Sequence, residues 1–184
     1  MSPPAGASER VRWLLLVYRV PSEPSRLRAG VWRRLRGLGA IYVQTSAAAL
    51  PASPVAERAL RALRSEIIEM GGTALLFASD VLAGEDGLVA QFNAARDDEY
   101  EEIVDRCEDF SRQVRKEYDD DHFTYAELEE NDVDLAKLKG WFDKVRARDV
   151  LRSEGAGRAA EAIAGCEAIL EDYATHVYDR ELDA

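Results

Sequence analysis

"VRWLLLVYRVPSEPSRLRAGVWRRLRGLGAIYVQTSAAALP", Val11–Pro51, decides the fold. Its opening, Val11–Val20, is short, apolar and rich in aromatic and branched residues, and reads as a buried strand. The prolines of "PSEPS" end it, and Ser25 is suited to cap a helix. Leu27, Val31, Leu35 and Leu38 recur at the spacing of one helix face, so that helix is expected from about Arg26 to Leu38. Gly37 and Gly39 mark its end. "AIYVQTSAAALP" (Ala40–Pro51) predicts a second strand and, after a turn near Thr45–Ser46, a third running to Leu50.

The next stretch completes the pattern. In "SPVAERALRALRSEIIEMGG", Ser53 caps a helix, Pro54 sits at its first position, and Gly71–Gly72 stop it. Val55, Ala59, Leu60, Leu63 and Ile67 are expected to form its apolar stripe. "TALLFASDVL" (Thr73–Leu82) reads as a further buried strand. The order β-α-β-β-α-β predicts a ferredoxin-like α+β domain over 11–84, with both helices on one sheet face and the other face open to a partner.

Beyond Gly84 the chain reads as all helix. Ile103, Cys107, Phe110 and Val114 predict a long helix, which "DDDHF" interrupts. Thr124 and Glu127 form a capping box for the next helix, whose stripe is Leu135, Leu138, Phe142 and Val145. "SEGAG" (Ser153–Gly157) reads as a loop. Ile163, Cys166, Leu170, Tyr173 and Val177 mark a last helix. Residues 85–184 are therefore expected to be a helical extension packed on the α/β domain, and residues 1–10 a loose tail.

The chain has 184 residues, 47% apolar and 32% charged, ordinary values for a globular protein. The longest apolar run, Trp13–Tyr18, is far short of the roughly 20 residues of a membrane span. The N-terminus has no apolar signal-peptide core, so a cytoplasmic protein without membrane contact is expected. The net charge of -11 hides a split. Residues 1–71 hold 11 Lys and Arg against 5 Asp and Glu, whereas residues 72–184 hold 13 against 30. Such asymmetry implies two faces with different partners, or two halves that attract each other.

The positive charge concentrates on the first helix. Taken by angle, Arg26, Arg33 and Arg36 fall on its outer face, Arg28 and Arg34 at its two borders, and Trp32 beside Arg28. Arginine suits planar, forked contact with a phosphate or other oxyanion. A solvated helix that balances the acidic half is the plain alternative, and Trp32 alone reads as core. The basic face is the footprint expected of a nucleic-acid binder, although no helix-turn-helix, RRM or zinc-finger pattern is present.

Nothing in the chain suggests catalysis. There is no nucleophile elbow, phosphate-binding glycine loop or recognisable Ser/His/Asp set, so neither an enzyme nor a cofactor is expected. The run "EYDDDHF" (Glu117–Phe123) lacks calcium-loop spacing and reads as a polar loop. Cys107 and Cys166 form no CxxC pair, and a metal site would need the fold to bring His176 to His122 or to one of the cysteines.

Three stretches together resemble a known family. "LLLVYRVPSEPSRLRAGVWRRLRGLGAIYVQ" followed by "ALP" resembles the opening of the N-terminal domain of ChrB, the chromate-resistance regulator family. "FTYAELEENDVDLAKLKGWFDKVRARDVL" and "CEAILEDYATHVYDRE" are similar to its later signature and closing helix. The family is in turn similar to the central domain of the phenylacetate repressor PaaX, whose fold is ferredoxin-like. The resemblance implies a chromate-responsive regulator of an operon for chromate resistance. With the basic helix, this leads to the expectation of a transcriptional regulator that binds operator DNA, chromate or a similar oxyanion, or both, and a homodimer is expected because it would present two basic helices. Full members of the family usually carry a second, C-terminal domain, and this chain is expected to be the N-terminal domain standing alone, ending where that domain would begin. Within the opening motif the candidate positions are Arg19, Arg26, Arg28, Trp32, Arg33, Arg34, Tyr42 and Gln44, with Arg36 added from the outer face of the helix. A protein–protein interaction or dimerisation module, acting with a separate sensor domain, is the alternative.

Overall fold

A computed structural model describes residues 10–182; the expected tail at 1–10 lies almost wholly outside them. The elements run β1 (Trp13–Arg19), α1 (Ser25–Gly37), β2 (Ile41–Gln44), β3 (Ala47–Pro51), α2 (Pro54–Glu69), β4 (Thr73–Ser79), α3 (Glu85–Asp119), α4 (Tyr125–Arg148) and α5 (Gly155–Leu182). The fold is thus mixed: a four-stranded antiparallel sheet and five helices, with helix dominating. The chain divides into two compact units, one ending at Phe92 and the other beginning at Asn93.

In the first unit the strands lie in the order β2-β3-β1-β4. Leu16 pairs with Ala48 on one side and Leu76 on the other, which fixes the register. Because side chains alternate along a strand, Leu14, Leu16, Ala48 and Leu50 share one face. Val31 and Leu35 of α1 and Leu60, Leu63 and Ile67 of α2 pack against them. The opposite face begins with Trp13, buried against the edge of Phe92 in α3 with ring centroids 6.0 Å apart. Gln91 of α3 also donates to the Tyr42 carbonyl at 3.1 Å. These contacts explain why the opening turns of α3 belong to the α/β unit.

Helix ends follow local chemistry. The Ser53 hydroxyl accepts from the Ala56 N–H at 3.1 Å, and Thr124 caps α4 in the same way through the Glu127 N–H. Both α1 and α2 close by a Schellman arrangement, with Gly39 and Gly71 at φ 79° and 80°. Gly72 has a different role: a Cβ there would lie 2.4 Å from the Arg19 carbonyl oxygen. The turn from α2 into β4 leaves no room for any side chain.

Four expectations need correction. Ser25 is the first residue of α1 rather than its cap; Pro24 holds the cap position without a side-chain bond. Val55 is 66% exposed, because the face that meets the sheet is set by Ala56, Leu60, Leu63 and Ile67, and Val55 sits about 100° away. The strand predicted over Thr73–Leu82 stops at Ser79 and is covered on one face only, leaving Leu75 and Phe77 exposed. The last helix begins at Gly155, inside the predicted loop; the Gly155 N–H donates to Asp97 at 2.7 Å, which supplies the missing cap.

The second unit is helical. Tyr100, Ile103 and Phe110 of α3, Phe142 and Val145 of α4, and Ile163 and Tyr173 of α5 meet in one core. Polar groups enter the unit as well, with Arg96, Glu117, Asn131 and Ser153 all buried. Glu99, a carboxylate with little exposure, accepts from Arg96 at 2.9 Å and from Arg148 at 2.8 Å. Glu117 is buried and accepts from the Asn131 amide at 2.7 Å. Burial holds the Glu117 carboxyl above its ordinary value, against the opposing pull of Asn131 and Gln113. A folded-state value above the unfolded one contributes stability that is full below the unfolded pKa and is lost as pH rises through the folded one. The helical unit therefore loses stability from this group as pH climbs above the usual carboxylate range. Glu117→Gln is expected to remove that loss, seen as a flatter profile of urea midpoint against pH. A profile unchanged by the substitution would refute this.

Candidate functional site: the basic helix

Helix α1 is positioned by two buried side chains, Val31 and Leu35, which seat it on the sheet. Leu27 and Leu38 flank them, half-buried. At about 100° per residue the remaining positions face water. Arg28, Trp32 and Arg36 form one ridge, and Arg33 and Arg26 continue the arc. All five are exposed. The Arg36 guanidinium lies 5.4 Å from the centre of the Trp32 ring, within cation–π range. Trp32 is 47% exposed, so its reading as core is corrected: it sits about 100° round from Val31, on the arginine side.

The two border arginines part company. Arg34 reaches across to Glu66 of α2 in an ion pair that also raises its own pKa, first through the hydrogen bond and then through charge. It works as a tether between the two helices. Arg28 stays exposed on the far border. Among the described residues no carboxylate pairs with Arg26, Arg28 or Arg33. No acidic residue occupies the first turn of α1, and Arg34 and Arg36 sit in its last turn, where the helix dipole favours them.

The strand candidates lie elsewhere. Arg19 and Gln44 are exposed at the ends of β1 and β2. Both strands run antiparallel to β3, so these ends lie at the same end of the sheet. Tyr42 is half-buried beside the helix-facing core, and its hydroxyl is 3.1 Å from that of Tyr18. Burial, then the Tyr18 contact, pushes its phenol well above the ordinary value, which suits an internal hydrogen bond rather than an anion contact.

The fold brings together residues that spacing alone did not. Cys107 on α3 and Cys166 on α5 are both buried and unbonded, with the Cys166 thiol 3.4 Å from the Cys107 carbonyl. Burial pushes the Cys107 thiol up to about 12, away from the reactive thiolate form. Tyr118, Phe123 and His176 cluster at the other end of the helical unit, where Tyr118 donates to Asp172 at 2.5 Å and His176 stacks on Phe123. Among the described residues no three His, Cys, Asp or Glu side chains converge on a point where an ion would fit. A groove beside α2 holding Arg61, Arg64 and Ser65 also escaped the sequence reading; the i, i+3 spacing of its arginines was the available signal.

The family model described as Protein ChrB, N-terminal, matches residues 28–184. The chain belongs to this ChrB N-terminal family. Membership associates it with chromate resistance. The ChrB match opens at Arg28, so it takes in most of the basic helix, while Arg19 and Arg26 precede it. No curated protein and no solved structure matches the chain. No helix among the described residues is long and apolar enough to cross a membrane.

Proposed function

We propose that this ChrB-family chain is a non-catalytic, cytoplasmic regulatory protein of chromate resistance, and that α1 contacts the phosphate backbone of operator DNA. One observation carries the reading: Arg26, Arg28, Arg33 and Arg36 stand exposed along one arc of a helix, in a protein that is otherwise acidic. A single oxyanion calls for converging donors. Arg28 and Arg34 instead lie about 120° apart around the helix axis, and Arg34 is committed to Glu66. A spread of cations fits a polyanion better. A two-fold dimer would present two such helices to successive half-sites. The α/β unit is ferredoxin-like in this reading, supported by the element order β1α1β2β3α2β4 and the sheet order β2-β3-β1-β4.

The test is retardation of the gene's own upstream DNA, with and without chromate. Each neutralised phosphate contributes about 0.9 to the slope of log affinity against log salt. Arg33→Ala is expected to weaken binding and to reduce that slope by about 1. Absence of retardation at low salt would sink the DNA reading, and an unchanged slope would remove Arg33 from the interface.

A further inference from the structure

The open flank of the sheet is β4. It ends the order β2-β3-β1-β4, so among the described residues β1 is its sole ladder partner. In an antiparallel ladder alternate residues turn their N–H and C=O groups away from the neighbouring strand, and at an edge those groups lack a ladder partner. Arg64 Nε donates to the Ala74 carbonyl at 3.2 Å, which marks Ala74, Leu76 and Ala78 as the residues turned to the edge and caps the first of them. Among the described residues no strand pairs with the outer edge of Leu75–Ser79. It carries no charge and no proline, the usual protections of an edge strand.

The two faces of this strand differ. On one, Leu75 and Phe77 are 60% and 45% exposed, beside Val17 at 38%. On the other, a groove of about 290 Å³ runs between β4 and α2, floored by Leu14, Leu76 and Ala78 and rimmed by Glu57, Arg61, Arg64 and Ser65. Arg61 holds Glu57 at 2.6 Å and remains largely in water, so a second carboxylate can reach it.

We propose that β4 binds an extended acidic segment of a partner protein, added to the sheet as a fifth strand. Main-chain bonds to Leu76 and Ala78 give affinity, and alternation gives specificity. Every second side chain of the guest lies over the α2 groove, where Arg61 and Arg64 select a carboxylate. The side chains between them lie beside Leu75 and Phe77 and are apolar. Charge decides against a second copy of this chain: pairing β4 with its own symmetry mate would line up the arginines of two α2 helices. No α1 residue takes part, so the proposal stands apart from the DNA reading.

The probe is a fluorescent peptide of alternating glutamate and valine, titrated into the full chain and followed by anisotropy. Two controls replace glutamate with lysine or methylate alternate backbone amides. The acidic peptide is expected to bind at least about tenfold more tightly than the lysine peptide, and to weaken with salt. Methylation abolishes binding. Ala78→Pro, at an edge position that β1 does not use, abolishes it too, Arg61→Glu weakens it about tenfold, and Arg33→Ala leaves it unchanged. If Ala78→Pro loses its circular dichroism, the methylated peptide on the native chain decides. Equal binding of all peptides, or no binding, overturns the proposal. So does a concentration-dependent dimer that Ala78→Pro dissociates, which would assign the edge to a second copy.

Discussion

Glu99→Ala destabilises the helical unit by about 3–5 kcal/mol, read as a large fall in urea midpoint by far-ultraviolet circular dichroism. The carboxylate is shared by two guanidinium groups, Arg96 at 2.9 Å and Arg148 at 2.8 Å. Arg96 is 3% exposed, and burial already holds its pKa below the ordinary value. Removing the anion takes from both guanidinium groups a carboxylate at hydrogen-bond distance in a site that water reaches poorly, and breaking a buried pair costs far more than the net worth of the pair. Replacing all three side chains by Met, Leu and Met is expected to recover most of the loss, because an apolar set of similar volume carries no such penalty. A loss below about 1 kcal/mol for Glu99→Ala would mean that water reaches the site freely.

The second large effect concerns the basic helix. Changing Arg26, Arg28, Arg33 and Arg36 together to alanine is expected to lower DNA affinity by about 10³–10⁴ at 0.1 M salt. The estimate takes a slope of about 0.9 per phosphate contact and four contacts, with 1 M salt as the reference state. All four positions are exposed, and alanine favours helix, so the fold should survive. An unchanged circular dichroism spectrum beside lost retardation is the expected pair of results. Full retardation by the quadruple variant would move the contact surface elsewhere. Arg34→Ala, in contrast, removes a partner of Glu66 and should alter the attachment of α1 to α2 more than the salt slope.

Most of the helices were legible because burial repeats. Ile103, Cys107, Phe110 and Val114 predicted the core face of α3, and all four are buried. Gly71 and Gly72 marked the end of α2, since a left-handed glycine is the commonest way to stop a helix. What the sequence hid depends on neighbours. Leu75 and Phe77 look like core residues in a strand, yet they lie on the face that α2 does not cover. The fate of Arg34 depended on Glu66, which lies 32 residues away along the chain. Angle placed Arg34 at a border but could not supply its partner. Trp32 went astray for the reverse reason: bulk and apolarity suggested burial, whereas the helical phase turned it outward beside Arg36.

The two cysteines allow the units to be followed separately. Both thiols are buried in the helical unit, and the α/β unit has no cysteine. A thiol-modifying reagent added to the native protein can therefore react only when the helices part. Its rate is a clock for local opening of one half of the chain, silent about the other. Run on Glu99→Ala and on the four-arginine variant, that clock should quicken sharply for the first and keep its pace for the second.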